Sequence, residues 1–319
     1  MKDAYRPEAL ADRAEPAALR PILARYLGGG LSPAMALMYL MLETRQVDVV
    51  EAALEGIRLR ARREDGQGQG AGPLLDRLEE IQAVIRENRP GCLRVGDMLG
   101  SEMDSDALAP SVEAGIAFSR RLFNWSVSQN PETSVALYSF GNPELLDAAT
   151  REVVDHMRGQ GLLGSDKSAL EIGCGIGRFQ AALAPEVGEA HGIDVSPKMV
   201  EEARRRCAGF GNVVLSECPG ADLRQYPDAR FDLLFAVDSF PYLFQSGMTL
   251  VETHFLEAAR VLRPGGDFLL FNFSYRDDLE RDREDVARLA LQSGFTLVGP
   301  GEKPFALWDG AVFRLLKKP

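Results

Sequence analysis

Leu170-Glu171-Ile172-Gly173-Cys174-Gly175-Ile176-Gly177-Arg178 reads as a buried strand that runs into a glycine-rich turn and then into a helix. Glycines at 173, 175 and 177 remove the Cβ atoms that would hold a ligand away from the backbone, and a helix opening directly after them offers unpaired N–H groups to that ligand. A GxGxG turn alone is weak evidence for any one ligand. The pyrophosphate-binding fingerprint, GxGxxG, asks for glycine where this chain has Arg178.

Outward from that turn the chain keeps one rhythm. Short apolar runs at 169–172, 191–195, 213–215, 231–237 and 268–273 alternate with helical segments such as 181–183, 197–207 and 250–262. This alternation predicts βαβ units, hence an α/β, doubly wound, mostly parallel sheet with helices on both faces. The last two runs, 295–298 and 311–316, have no helix between them and predict an antiparallel pair at one edge. Arg263-Pro264-Gly265-Gly266 reads as a structural turn into the fifth strand.

Before residue 110 the pattern is helical and needs no strand. Ser32-Pro33 is an N-cap followed by a first helical residue, leading into Met35, Leu37, Met38, Leu40 and Met41, which suit a helix buried on more than one side. Val47, Val50, Leu54 and Ile57 outline a second helix, and Leu74 to Ile85 another, with a charged, Gly-rich loop at 62–72 between them and a short helix near 93–99. A helix at 111–130, ended by Asn130-Pro131, and one from Pro143 to about Gly159 follow. The expected division is a helical N-terminal domain at 1–110, a connecting helix and lid segment at 111–142, and the sheet domain at 143–319.

Composition narrows the function. The 319 residues carry a formal net charge of −11, and acidic residues outnumber basic ones on both sides of residue 110. The electrostatic footprint for nucleic acid or an anionic membrane is missing. The N-terminal stretch has no apolar signal region and no long uncharged apolar run occurs, so a cytoplasmic protein is expected. Cys92, Cys174, Cys207 and Cys218 lack CxxC spacing and the three histidines are scattered, which predicts neither disulfides nor a metal site.

His191-Gly192-Ile193-Asp194 ends the second strand in a carboxylate about 20 residues after the glycines. A carboxylate there can accept both hydroxyls of an adenosine ribose, a group shared by NAD and S-adenosylmethionine. Its competing role, capping the helix that opens at Ser196-Pro197, can be filled by Ser196 instead.

At this point the chain resembles the class I S-adenosylmethionine-dependent methyltransferases. The resemblance rests on four blocks in family order: 170–177, 192–199, Tyr226-Pro227-Asp228-Ala229-Arg230-Phe231-Asp232 with the strand after it, and 259–268. It implies a seven-stranded Rossmann-like sheet, S-adenosyl-L-methionine as cofactor, and methyl transfer by in-line displacement to a small-molecule acceptor. It further implies that Gly173, Gly175 and Gly177 pass under the cofactor with Glu171 nearby. Asp194 would then take the ribose, Asp222 would lie near the adenine amine, and the 237–242 segment would face the acceptor. If that acceptor is a hydroxyl, Asp238 is the first candidate for general base and His254 a weaker one. Tyr138, just before the nucleotide-binding core, is a candidate cofactor contact, ahead of Trp125 and Phe140.

Several residues have plainer readings. Cys174 reads as a small buried neighbour, His254 as a packed helix residue beside Phe255, and His156 as a cation near a helix C-terminus. The N-terminal helices could enclose the substrate, form a homodimer surface or bind a carrier protein; enclosure is the favoured role. Three other functions are weighed: an NAD-dependent oxidoreductase, a thiol-dependent metalloid methyltransferase using Cys92, Cys207 and Cys218, and a non-catalytic S-adenosylmethionine-binding partner protein.

Overall fold

A computed structural model describes residues 7–64, 72–101 and 109–318, which divide into two compact units. The first opens with α1 (Pro7–Ala11), α2 (Arg20–Leu27), α3 (Pro33–Thr44), α4 (Val47–Glu64) and α5 (Gly72–Leu99). Helix α3 starts as its sequence requires: the Ser32 hydroxyl accepts the Met35 N–H at 3.1 Å, and Pro33 occupies the first turn, where no N–H is needed. Ala34, Met35, Ala36, Leu37, Leu40 and Met41 are all buried, the signature of a helix enclosed on several sides.

The separate short helix expected near 93–99 is a continuation of α5 beyond a kink. Asn88 leaves helical geometry (φ −120°) just ahead of Pro90, whose ring and missing N–H break the ladder. Three of the residues expected in the Gly-rich loop, Arg62, Arg63 and Glu64, belong to α4; residues 65–71 lie outside the described residues.

The expected connecting segment at 111–142 is split between the units. Helix α6 (Val112–Gln129) belongs to the second. Glu132–Leu146, with most of α7 (Pro131–Val135) and the start of α8 (Pro143–Gly159), belongs to the first, as does Ala306–Asp309. Tight local packing explains this. A Cβ on Gly91 would lie 1.7 Å from the Phe140 carbonyl oxygen, so only glycine lets α5 meet that backbone, and the Asn142 amide donates to Asn88 Oδ1 at 2.9 Å.

The second unit carries the sheet: β1 (Gly164–Ile172), α9 (Arg178–Leu183), β2 (Val187–Asp194), α10 (Pro197–Arg206), β3 (Val213–Glu217) and β4 (Phe231–Val237). Then come α11 (Phe240–Gln245), α12 (Met248–Val261), β5 (Leu262–Phe271), α13 (Leu279–Gln292), β6 (Phe295–Glu302) and β7 (Val312–Lys317). The strand order is β3-β2-β1-β4-β5-β7-β6, with β1 to β5 parallel and β7 antiparallel to both β5 and β6. This is the doubly wound, Rossmann-like seven-stranded sheet expected from the sequence, including its antiparallel edge.

Both faces of the central strands are covered, so their sequences run apolar without alternation. Leu170, Ile172, Ile193, Leu234, Ala236, Phe268 and Leu270 share one core with Val251 and Phe255 of α12 and Val286 and Leu289 of α13. The order reverses between β1 and β4, which opens the crevice of such sheets at the carboxyl ends of these two strands. Among the described residues no helix is long and apolar enough to cross a membrane.

Candidate functional site

The turn after β1 is built from left-handed backbone. Gly173, Gly175 and Gly177 have φ of 76°, 50° and 74°, values that side chains other than glycine adopt with difficulty. Packing inside the protein adds a second demand. A Cβ on Gly173 would sit 2.5 Å from Ser239 Cβ, and one on Gly177 would sit 2.9 Å from Ala203 Cβ of α10. The Gly173 and Cys174 N–H groups both donate to the Ile193 carbonyl, at 2.8 and 2.9 Å, which ties the turn to β2.

Asp194 ends β2 beside this turn and is only 7% exposed. Its Oδ2 accepts the Gly175 N–H at 2.9 Å and its Oδ1 accepts the Ser196 N–H at 2.8 Å. Ser196 caps α10 through its hydroxyl, which accepts the Met199 N–H at 3.1 Å, so that capping role is taken. Burial pushes the Asp194 carboxyl up to about 6 against the downward pull of those backbone N–H groups. Glu171, 2% exposed and one residue before the end of β1, is pushed up to about 8 by burial, with Gln180 and Arg178 pulling the other way. Arg178 is itself buried, stacked 4.3 Å over the Phe179 ring and donating to Thr150 Oγ1 at 3.2 Å.

The far side of the crevice is built from side chains. Asp238 follows β4 in left-handed backbone (φ 55°), and its Oδ1 accepts from Asn272 Nδ2 at 2.7 Å and from the Tyr275 hydroxyl at 3.1 Å. Asn272, left-handed as well (φ 64°) at the end of β5, accepts the Ala311 N–H on Oδ1 at 2.9 Å, so its amide is oriented from both ends. The half-exposed Tyr275 ring meets Tyr242 of α11 edge-on at 6.1 Å, and Tyr242 meets Phe123 of α6 at 4.9 Å. Helix α6 also reaches the loop after β2. Arg120 donates to the Val195 carbonyl at 2.9 Å, and Asn124 Oδ1 accepts the Ser196 hydroxyl at 2.8 Å.

The remaining sequence candidates are dispersed. His254 lies in the packed interior of α12, 2% exposed, with Nδ1 2.9 Å from the Leu250 carbonyl and its ring edge-on to Phe240; burial pulls its pKa down. Asp222 accepts the Arg224 N–H at 3.1 Å and pairs with the Arg224 guanidinium at 3.1 Å. Tyr138 and Phe140 are buried in the first unit, and Trp125 is half-buried on α6. All four cysteines are free and buried, and burial pushes Cys92 and Cys218 up to about 12 and Cys207 up to about 11. Among the described residues no group of three or more His, Cys, Asp or Glu could hold a metal ion. Asn124, Asn272 and Tyr275 were not legible as site residues, because no local pattern marks a polar side chain whose partner is 34 to 72 positions away.

Residues 170–270 match the family model described as a methyltransferase domain. Over 156 residues the chain is 31% identical to the demethylmenaquinone methyltransferase of Tropheryma whipplei (strain Twist), covering 49% of this chain and 59% of that one. It is 34% identical over 150 residues to the 27-O-demethylrifamycin SV methyltransferase of Amycolatopsis mediterranei (strain S699), covering 44% and 53%. To the S-adenosyl-L-methionine-dependent Diels-Alderase iccD of Talaromyces variabilis it is 28% identical over 164 residues, covering 50% and 54%. The chain thus spans a little over half the length of these curated relatives.

Proposed function

Because residues 170–270 match the model of a methyltransferase domain, we propose that the chain is a class I S-adenosylmethionine-dependent methyltransferase that methylates a small-molecule acceptor in the cytoplasm. One observation carries the reading. At the end of β2, next to the strand that borders the switch point, a buried carboxylate, Asp194, is held by backbone N–H groups on both oxygens beside a left-handed glycine turn. A carboxylate so fixed still has lone pairs for two ribose hydroxyls. Glu171 beneath the turn and Asp222 after β3 complete the cofactor side.

When bound, the sulfonium supplies a methyl carbon with an excellent leaving group, so the chain's own work is alignment, water exclusion and proton handling. Asp238 takes the acceptor proton, oriented by Asn272 and Tyr275. His254 is the lesser base candidate, since its Nδ1 lies on the Leu250 carbonyl. The Phe123, Tyr242 and Tyr275 rings offer an apolar wall for a ring-bearing acceptor. The names of two relatives, a demethylmenaquinone and a 27-O-demethylrifamycin SV methyltransferase, support an acceptor of that kind.

The test is an acceptor screen with methyl-labelled cofactor, read by mass spectrometry, together with calorimetry of cofactor binding. Label on a small-molecule product is expected. Tight cofactor binding with a converted but unlabelled substrate would replace methyl transfer by cofactor-dependent chemistry of the Diels-Alderase kind. NAD binding as tightly as S-adenosylmethionine would return the oxidoreductase reading. The thiol reading gains nothing from cysteines that burial keeps protonated.

A further inference from the structure

Under the glycine turn lies a buried pair whose protons the proposed methyl transfer does not use. Glu171 is 2% exposed, and among the described residues its carboxyl receives one N–H donor, Gln180 Nε2, at 2.8 Å. Gln180 is fully buried on α9, and among the described residues its Oε1 has no hydrogen-bond partner. The amide cannot simply be turned over: Nε2 also donates to the His191 carbonyl at 3.3 Å, so a flip would set two carbonyl oxygens against each other. A single amide thus both donates to the carboxyl and lacks a donor for its own oxygen. An ionised carboxylate cannot fill that gap, because it only accepts; a protonated one can.

The charges around the pair favour the proton. Asp194 faces Glu171 from β2 and opposes a negative charge there, while the thiols of Cys174 in the turn and Cys207 at the end of α10, held protonated by burial, add no charge of either sign. Among the described residues Arg178 of α9 is the cation facing it, and its guanidinium is committed to Thr150 and the Phe179 ring. Burial pushes the Glu171 carboxyl up to about 8.

We propose that Glu171 is protonated in the ligand-free protein, paired with Gln180 as acid to amide, and that a cationic ligand seated on the glycine turn drives its proton into solvent. The first half stands on this chain's geometry; the second rests on the cofactor reading above. Its consequence is discrimination between cofactor and product. S-adenosylmethionine carries one positive charge more than S-adenosylhomocysteine, on the sulfonium. The ionised Glu171 attracts the first ligand and, once the methyl has left, regains its proton beneath the second.

Two measurements on the full chain test this. Infrared spectra of ligand-free protein carrying carboxyl-labelled glutamate should show a protonated-acid carbonyl band at pH 7 that fades as pH rises past 8 and is missing in Glu171→Gln. No such band overturns the first half, with or without the variant. Calorimetry in two buffers of different ionisation enthalpy should show S-adenosylmethionine releasing more protons than S-adenosylhomocysteine, by a fraction approaching one, and Glu171→Gln should erase that difference. Equal release by the two ligands, or a difference that survives Glu171→Gln, overturns the coupling. Should S-adenosylmethionine fail to bind at all, the cofactor reading falls and the coupling with it, while the infrared band still decides the resting state.

Discussion

The two sides of the crevice are made differently. At the ends of β1 and β2 the site is backbone: three left-handed glycines, N–H groups aimed at carbonyls, and one carboxylate clamped by main chain. At the ends of β4 and β5 it is side chain: Asp238 held by Asn272 and Tyr275, with an aromatic row reaching to α6. A backbone-built half tolerates little change, since its geometry is shared with the fold. A side-chain-built half can be altered with the fold left standing, and so is where specificity can vary.

The comparison breaks most visibly at Gly173. Valine there meets left-handed φ and a 2.5 Å approach to Ser239 Cβ. The expected loss is about 2–5 kcal/mol of stability, combining the backbone cost with overpacking. A shifted urea midpoint at constant slope would show it; an unshifted one would mean that the turn relaxes freely. Asp194→Ala should next weaken S-adenosylmethionine binding by about 1.5–3 kcal/mol, the scale of hydrogen bonds to a charged group. An unchanged dissociation constant by calorimetry would remove Asp194 from the ribose site.

On the other side, Asn272→Ala should leave cofactor affinity within about twofold and slow single-turnover transfer by roughly tenfold, as expected for a lost orienting contact. Equal losses in affinity and rate would dissolve the distinction between the halves. The smallest effect is a slope. Burial raises the folded-state pKa of Glu171 to about 8, so its contribution to stability is complete below its ordinary carboxylate value and is lost as pH rises toward 8. Ligand-free protein should therefore lose stability from about pH 5 to 8, by up to about 1.4 kcal/mol per pH unit for one proton. Urea midpoints across that range should fall more gently in Glu171→Gln, and parallel curves for the two proteins would argue against a buried neutral acid.

How much of this was legible follows from range. The Ser32 and Ser196 caps, the strand rhythm of the second unit and the order Gly173, Gly175, Gly177, Asp194 are decided by neighbours a few positions away or by periodicity. Helices α11 and α13 were passed over. The first is short and follows a strand end, and the second is too charged for its buried stripe of Val286, Leu289 and Ala290 to stand out.

What the sequence determined by itself is the doubly wound sheet with its glycine turn and the carboxylate that ends β2, because hydrogen bonding within a turn and apolar spacing along a strand are local quantities. The tertiary structure alone decided three things: that Gly173 must clear Ser239, that Asp238 is aimed by Asn272 and Tyr275, and that Glu171 meets a single amide in the dark beneath the turn. Each depends on which distant groups are desolvated together, and burial of a polar group is a property of the packed whole, which no stretch of sequence carries.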